Sequence, residues 1–526
     1  MVLKPHTDGA ADPILQRMAE EDKVPWYKKP NLRRLYFLLF PTCMGVEMTS
    51  GFDSQMINAV QLVDPWKEYF GHPTGSLKGI IAAIYSLGAI CALPFIPMIN
   101  DRFGRRWCVF FGSCMMIIGA FLQGFSNGVG MYLVARWLLG FGIPFCIVAA
   151  SSLMGELGYP KERPVLTSMF NACWFIGSIL AAGITFGTQK VPSDWAWRIP
   201  SLLQAVPSAL QVTFIFFIPE SPRFLISRDR HEEAMAVLVK YHAEGDATSE
   251  FARAEMAQIQ STIKIELEHS KQSWMDLLRT AGMRRRVVIG SLLGLFTQWS
   301  GNTLISYYLD DLLSLMGFTD PQFKGKLNVG ITCWNFVNGM TIALLVGRFR
   351  RRSMYLTCTV SLLCVYVGWT ISMERFLTTE AVAAARLTIF FIFAYSPAYN
   401  IGYNALTYTY LVELFPYAQR ARGLAVFQFW GRGAGFFTTF VNPIGLERIK
   451  WRWLLTYCCW IAFEIVVVYF LFPETSGRTL EELAFLFEDK QLADEATAAV
   501  EKQIHHEDMP AEKTGTVSHV EAVRSA

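Results

Sequence analysis

Asp53 and Arg136 are the leading charged residues inside long apolar runs of the sequence, where an unpaired charge is costly. Asp53 belongs to the run at 35–59, and Arg136 belongs to the run at 130–154. A central Asp or Arg in a membrane-spanning helix costs about 2.5–3.5 kcal/mol by insertion scales, so such a residue rarely stands without a partner or a role. A guanidinium beside the carboxylate keeps it ionised, whereas moving the Arg away lets the carboxylate take a proton. The pair can therefore act as a proton-binding switch or, alternatively, as a static ion pair that fastens two helices.

A second group of side chains can form hydrogen bonds without carrying charge. Gln298, Asn302 and Ser306 stand at i, i+4 and i+8, which places them on one face of a helix. Similar side chains in other runs are Asn171, Trp174, Asn400, Asn404 and Tyr408. Amides donate and accept hydrogen bonds with paired hydroxyls, and aromatic rings cover the apolar C–H face of a pyranose. These residues favour an uncharged polyhydroxylated ligand, most simply a sugar; the alternative is that they only join helices to one another.

The elements that must position these residues are long apolar helices. Hydrophobic residues make up 52% of the 526 positions, and charged residues make up only 17%. A bilayer core of about 30 Å requires roughly 20 helical residues. Twelve apolar runs have about that length, at 35–59, 79–100, 107–127, 130–154, 167–188, 197–218, 286–309, 327–347, 354–374, 384–412, 424–446 and 452–472. We therefore predict an all-α membrane protein with twelve transmembrane helices in a lipid bilayer.

The polar stretch at 219–285 divides the runs into two sets of six, and short motifs recur in both sets. DRFGRR at 101–106 recurs as GRFRRR at 347–352, and PESPR at 219–223 recurs as PETSGR at 473–478. Such a duplication is typical of secondary transporters, in which a ligand site lies between two related bundles. The expected domains are an N-terminal tail (1–34), a six-helix bundle (35–218), a helical linker (219–285), a second six-helix bundle (286–472) and a largely disordered C-terminal tail (473–526).

Lys and Arg residues are concentrated in the short loops after the second, fourth, eighth and tenth runs. Cytoplasmic loops are enriched in these residues, so both termini and the linker are expected to be cytoplasmic. The first 34 residues contain no apolar core of the kind that a secretory signal requires. The sequence therefore predicts a multi-pass protein of the cell membrane.

Several kinds of chemistry lack the residues that they need. The eight histidines fall outside the apolar runs, the eleven cysteines form no CxxC pair, and no GxxxxGK[ST] motif occurs. These patterns argue against an intramembrane metal site and against ATP as the energy source. The net charge of +3 is a property of the loops and indicates no nucleic-acid partner. We predict a monomer that uses no cofactor or metal, is not an enzyme, and draws on an ion gradient.

Several short motifs are spread along residues 35–485. They are GFD at 51–53, DRFGRR at 101–106, PESPR at 219–223, ELFPYAQRARG at 413–423 and PETSGRTLEE at 473–482. With these motifs the sequence resembles the sugar porters of the major facilitator superfamily. QWSGNTLISYY at 298–308 and FNACWFIG at 170–177 are similar to the fungal lactose permease and cellodextrin transporter branch. The resemblance implies proton-coupled uptake of a disaccharide, such as lactose or cellobiose.

The resemblance also implies roles for individual residues. Asp53 matches the family's proton-accepting Asp, and Arg136 matches the Arg that controls it. The predicted sugar-binding residues are Asn171, Gln298, Asn302, Asn404 and Tyr408, and the predicted outer-gate residues are Tyr307 and Tyr308. The predicted cytoplasmic gate consists of Asp101, Arg105, Arg106, Glu156, Arg163, Glu413 and Arg420.

The second copy of the cytoplasmic motif departs from the family pattern. Gly347 stands where the family has an Asp, and Arg350 stands where it has a Gly. Losing one carboxylate among several arginines should weaken the inner gate and bias the balance between outward- and inward-open states. Two alternatives therefore stay open beside a sugar porter: a sugar sensor with little or no transport, and a porter for a glycosylated or polyhydroxylated secondary metabolite.

Overall fold

The computed structural model describes residues 22, 24–269, 275–345, 349–415 and 419–475, and within these ranges every regular element is helical. The N-terminal helices are α1 (Pro30–Leu39), α2 (Gly45–Val60), α3 (Asp64–Tyr69), α4 (Gly75–Ala92), α5 (Phe95–Phe103), α6 (Arg105–Gly124), α7 (Val129–Leu157), α8 (Arg163–Thr188), α9 (Trp195–Leu203) and α10 (Ala205–Phe214). The linker helices are α11 (Pro222–Ser227), α12 (His231–His242), α13 (Glu250–His269) and α14 (Asp276–Arg279). The C-terminal helices are α15 (Ala281–Trp299), α16 (Asn302–Tyr307), α17 (Leu309–Leu315), α18 (Pro321–Leu345), α19 (Arg351–Thr379), α20 (Val382–Tyr399), α21 (Thr407–Leu414), α22 (Arg420–Ile449) and α23 (Arg452–Leu471).

Seven helical segments in the described ranges are each long and apolar enough to cross a membrane. They are Gly75–Ala92, Arg105–Gly124, Val129–Leu157, Trp195–Phe217, Arg351–Thr379, Val382–Asn404 and Arg452–Leu471. The other predicted runs, at 35–59, 167–188, 286–309, 327–347 and 424–446, also fall on helices. Two of these are interrupted: a π-helical segment, Phe40–Met44, separates α1 from α2, and Ser300 and Gly301 separate α15 from α16. All twelve predicted runs thus fall on helices within the described ranges, and seven helical segments there have the length and apolarity expected of a membrane span.

Helices α2 and α8 cross at a pair of glycines. A Cβ atom on Gly51 would lie 1.9 Å from the carbonyl oxygen of Trp174, and one on Gly177 would lie 2.0 Å from the carbonyl oxygen of Met48. Only a hydrogen at these positions lets the backbones approach so closely, as in other membrane helix pairs with small residues at the crossing. The glycines therefore hold α2, which carries Asp53, against α8, which carries Trp174.

The two sets of helices meet along three pairs. Helix α4 packs against α22, α2 packs against α16, and α8 packs against α18. Each set has its own buried core, one built on α15 to α23 and the others on α1 to α10. We call the end of the bundle beside residues 219–269 the linker side, and the opposite end, formed by residues 61–74 and 308–320, the far side. The sequence predicts that the far side is extracellular.

The linker is anchored to the N-terminal helices. The carboxylate of Glu244 accepts hydrogen bonds from the backbone N–H groups of Asn31 and Leu32, both at 3.0 Å, at the start of α1. These are N–H groups that a helix leaves without internal partners. His242 contacts Glu255 at 2.6 Å and the carbonyl oxygen of Leu157 at 3.2 Å. The linker therefore fixes both the beginning of α1 and the end of α7.

Candidate functional site

A cavity of about 320 Å³ lies between the two sets of helices, and both contribute to its wall. Most of the wall consists of hydroxyl, amide and aromatic side chains. The N-terminal helices provide Gln55, Asn58, Tyr85 and Trp174 among others. The volume is at the lower end of the range of about 300–1,000 Å³ found for ligand pockets. The cavity can therefore enclose a small polar molecule and offer it hydrogen bonds from two sides.

Three of the predicted sugar-binding residues, Gln298, Asn302 and Asn404, line this cavity. The side chains of the other two, Asn171 and Tyr408, lie outside the described part of the chain. Sequence analysis missed several further amides in the wall, of which Asn328 is one: its Oδ1 atom accepts a hydrogen bond of 2.7 Å from Gln55. Asn328 is an amide within the predicted apolar run at 327–347. A polar residue in such a run was the sequence signal that could have identified it.

The helix that carries Gln298 and Asn302 is broken between them, whereas the sequence pattern predicted one continuous face. Helix α15 ends at Trp299, and Gly301 adopts φ +91°, a left-handed conformation that favours glycine. A Cβ atom at Gly301 would also lie 1.6 Å from the hydroxyl of Tyr366. The prediction of a regular helix is therefore wrong here, although Gln298, Asn302 and Ser306 still reach the same cavity.

A second irregularity occurs where Asn404 reaches the cavity. Residues Asn400–Asn404 form a π-helical segment between α20 and α21. The Asn400 amide donates to Asn338 and so joins two helices, whereas Asn404 lines the cavity. Such π-bulges occur frequently at functional sites because they redirect side chains. The two asparagines of the predicted stripe therefore do different things.

Asp53 and Arg136 form a buried ion pair, with Oδ1 of Asp53 accepting a hydrogen bond of 2.8 Å from Nη1 of Arg136. Asp53 is 4% exposed and Arg136 is 1% exposed. The guanidinium lies over the ring of Tyr85, 5.2 Å from its centroid, and Tyr85 lines the cavity. Among the described residues, Oδ2 of Asp53 has no hydrogen-bond partner. The pair is thus one layer behind the cavity wall, with one carboxylate oxygen unpaired.

A second buried carboxylate, Glu464, lies among the C-terminal helices and is fully buried. Both of its oxygens lie 2.9 Å from Oγ of Ser300, and the hydroxyl of Tyr403 donates to Oε2 at 2.9 Å. Neutral donors from the break before α16 and from the π-helical segment therefore enclose this carboxylate.

The far side is joined by ion pairs between the two sets of helices, which sequence analysis did not identify. Lys67 contacts Asp310 at 3.0 Å, and Lys78 contacts Asp311 at 2.5 Å. Lys324 adds a contact of 2.6 Å to Asp310. Burial opposes the ionisation of Asp310, but the positive charges of the lysines outweigh it and hold the pKa of Asp310 below its ordinary value of 3.8. We call these five residues the far-side cluster; they join the two sets of helices at that end.

The two predicted outer-gate residues differ in position. Tyr307 lines the cavity, whereas Tyr308 is fully buried and its hydroxyl donates to the carbonyl oxygen of Thr439. Tyr308 therefore joins the broken helix to α22, and of the two residues only Tyr307 reaches the cavity.

On the linker side, an Arg–Glu arrangement in the N-terminal helices recurs in the C-terminal helices. Arg105 contacts Glu156 at 3.3 Å, and Glu220 accepts the backbone N–H groups of Arg105 and Arg106, each at 3.2 Å. Burial raises the pKa of Glu220 above its ordinary value, against the lowering effect of these N–H groups. The first copy thus encloses a carboxylate at the start of α6.

In the second copy, Arg351 contacts Glu413 at 3.4 Å, and Glu474 accepts the backbone N–H groups of Arg351 at 3.0 Å and of Arg352 at 3.2 Å. The duplication seen in the sequence is therefore reproduced contact by contact. The predicted gate side chains Asp101, Arg163 and Arg420 and the altered position Gly347 lie outside the described part of the chain.

Comparison with known proteins gives the class of this one. An inward-open structure of the xylose transporter XylE from E. coli matches 86% of this chain and all of that chain, with a TM-score of 0.71 and 19% identity. The fold is therefore the all-α major facilitator fold. The high-affinity glucose transporter of Kluyveromyces lactis is 26% identical over 490 residues, covering 88% of this chain and 87% of the relative. The MFS-type transporter oryC of Aspergillus oryzae is 28% identical and covers 85% of each chain.

The family follows from a match of residues 38–487 to the model described as "Sugar (and other) transporter". The chain belongs to this family of multi-pass membrane transporters, whose members are transporters and not enzymes.

Proposed function

We propose that this protein is a proton-coupled sugar porter that works by alternating access, with the linker side in the cytoplasm. The observation that carries the proposal is the central cavity, whose wall consists mostly of neutral hydrogen-bonding side chains from both sets of helices and which lies beside a buried Asp–Arg pair. In such transporters, the two bundles rock about a site at their interface. The relative from K. lactis is named a glucose transporter, and XylE is named a proton:xylose symporter.

The far-side contacts support an alternating-access cycle. The ion pairs and hydrogen bonds that join the two sets of helices in the described ranges include Lys78 to Asp311 in the far-side cluster and Gln55 to Asn328 in the cavity wall. Opening the cavity to that side requires these contacts to break. The linker-side Arg–Glu contacts, in contrast, are each made within one set of helices.

The cargo that we propose is a disaccharide such as lactose or cellobiose. Support comes from the similarity of residues 298–308 and 170–177 to disaccharide porters, and from three amides, Gln298, Asn302 and Asn404, that line the cavity. Amide side chains can donate to one hydroxyl and accept from its neighbour, which suits a polyol better than an apolar molecule.

Uptake by lipid vesicles that contain only the purified protein tests this proposal. With an acidic exterior, we expect accumulation of labelled lactose or cellobiose, which collapses when a proton carrier is added. A sensor would bind sugar without accumulating it. No uptake of any of a broad panel of sugars would contradict the proposal.

Two substitutions test the binding site. Gln298→Ala and Asn302→Ala should each raise the half-saturation concentration of sugar by roughly 2- to 13-fold. A hydrogen bond contributes about 0.5–1.5 kcal/mol, and 1.4 kcal/mol corresponds to tenfold in affinity. Asn127→Ala removes an exposed amide away from the cavity and serves as the matched control. Unchanged half-saturation in both cavity variants would show that these amides only pack helices together.

A further inference from the structure

One wall residue of the cavity carries a formal charge. Arg432, on α22, is partly exposed and lines the cavity together with Gln298 and Gly435. The other residues that line the cavity are neutral. Arg432 lies within the predicted run at 424–446, between Arg422 and Arg448 near the ends of the same helix. A cation at this depth costs about 2.5–3.5 kcal/mol unless something compensates it.

The described residues provide Arg432 with no direct partner. No hydrogen bond or ion pair joins its guanidinium to them. The carboxylate of Asp53 is already paired with Arg136. Arg432 is close enough to Glu47 and Tyr85 to interact with them electrostatically. Glu47, however, forms no ion pair with Arg432 and does not line the cavity. Arg432 therefore presents to the cavity a positive charge that has no ion-pair partner among the described residues.

The chemistry of this wall suits one class of ligand. A guanidinium presents a planar fork of N–H donors that matches the two oxygens of a carboxylate. Gln298, Asn302 and Asn404, which line the same cavity, can serve hydroxyl groups. Resting on the proposed sugar-porter function, we propose that the cavity prefers a sugar acid to the neutral sugar of the same skeleton, with Arg432 binding the carboxylate and the amides binding the hydroxyls.

The proposal is tested with two pairs of ligands, each consisting of a sugar acid and the neutral sugar with the same carbon skeleton. The pairs are D-galacturonate with D-galactose, and lactobionate with lactose. Binding to the purified full-length protein in detergent is measured by ligand-induced thermal stabilisation and by displacement of a bound label. We expect each acid to bind more tightly than its neutral partner. Arg432→Gln should weaken acid binding by about 10- to 100-fold, because a hydrogen bond to a charged group contributes about 1.5–3 kcal/mol. Neutral-sugar binding should change by less than about threefold.

Two further variants provide the controls. Arg432→Lys keeps the charge but loses the fork, so it should retain part of the preference for the acid. Arg448→Gln removes the same charge from the exposed end of the helix and should leave the preference unchanged. Equal weakening of acid and neutral binding in Arg432→Gln would overturn the proposal and show that the residue only supports the cavity wall.

Glu47→Gln tests an alternative explanation, in which Arg432 forms an ion pair with Glu47 in another state of the transport cycle. If Glu47→Gln reproduces the effect of Arg432→Gln on both members of each pair, the charge serves that ion pair and the sugar-acid proposal fails. Binding and uptake of neutral sugars alone would also overturn it while leaving the proposed sugar porter intact. Absence of binding and uptake for both members would instead contradict the proposed function itself.

Discussion

Each set of helices buries a carboxylate in the membrane, but the two carboxylates have opposite kinds of partner. Asp53 has a cation, Arg136, at 2.8 Å, and one of its oxygens has no hydrogen-bond partner among the described residues. Glu464 forms no ion pair with any described residue; both of its oxygens contact the hydroxyl of Ser300, and Oε2 also accepts from the hydroxyl of Tyr403. Hydroxyls can hydrogen-bond to an ionised or a protonated carboxyl, whereas the ion pair requires ionisation. The difference teaches that only the first site has a partner whose movement can control proton binding.

The largest expected effect comes from neutralising each carboxylate in turn. Asp53→Asn should abolish uphill accumulation and the pH dependence of uptake while leaving exchange of sugar across the vesicle membrane partly intact. Glu464→Gln keeps the size and hydrogen-bonding capacity of the side chain and should leave accumulation in place. Both are measured in vesicles with an imposed pH difference. Accumulation that survives in Asp53→Asn, or vanishes in Glu464→Gln, would reverse the roles of the two sites.

The next largest effect concerns stability. Arg136→Gln leaves the Asp53 carboxylate uncompensated, and breaking a buried ion pair in this way costs about 3–5 kcal/mol of unfolding free energy. Adding Asp53→Asn should recover much of that loss. At the other site, Tyr403→Phe removes one of several hydrogen bonds and should cost only about 0.5–1.5 kcal/mol. Unfolding of the purified variants in detergent gives the comparison. Equal losses would show that the cation is no more important to its site than the hydroxyl.

The smallest expected effect is an absence of change, and it concerns the far-side cluster. Since its lysines hold the pKa of Asp310 below 3.8, pairing persists above that value and is lost only as the pH falls through the lowered pKa. Between about pH 5 and 7 the cluster should therefore contribute no pH dependence. Asp310→Asn should alter the rate of uptake but leave its slope against pH unchanged in this range. A changed slope would mean that the far-side cluster, rather than Asp53, accounts for part of the proton response.

Much of the site could be predicted because it depends on local patterns. The apolar runs indicated the helices, and isolated polar residues within them indicated Asp53, Arg136, Gln298 and Asn302, which the structure finds as an ion pair and in the cavity wall. Arg432 carried the same signal, a charge within a predicted run, and was overlooked.

Other features depend on packing between distant segments, which no local pattern reports. The partners of Glu464 are 164 and 61 residues away in the sequence. At the break before Asn302, the hydroxyl of Tyr366, from a distant segment, fills the space beside Gly301. The far-side cluster pairs short helices and the first turns of long helices from the two sets. Opposite charges at 67, 78, 310, 311 and 324, just beyond the apolar runs, were a usable hint.

If Arg432 selects an anionic cargo, as proposed, its charge also sets the electrical work of uptake. A neutral cargo that enters with one proton moves one net charge, so 100 mV of membrane potential contributes about 2.3 kcal/mol, or roughly 50-fold accumulation. A singly charged anion that enters with one proton moves no net charge, and its accumulation follows the acidity difference alone, at about tenfold per pH unit. By selecting the charge of the cargo, one guanidinium in the cavity decides whether voltage contributes to uptake or only the acidity of the medium drives it.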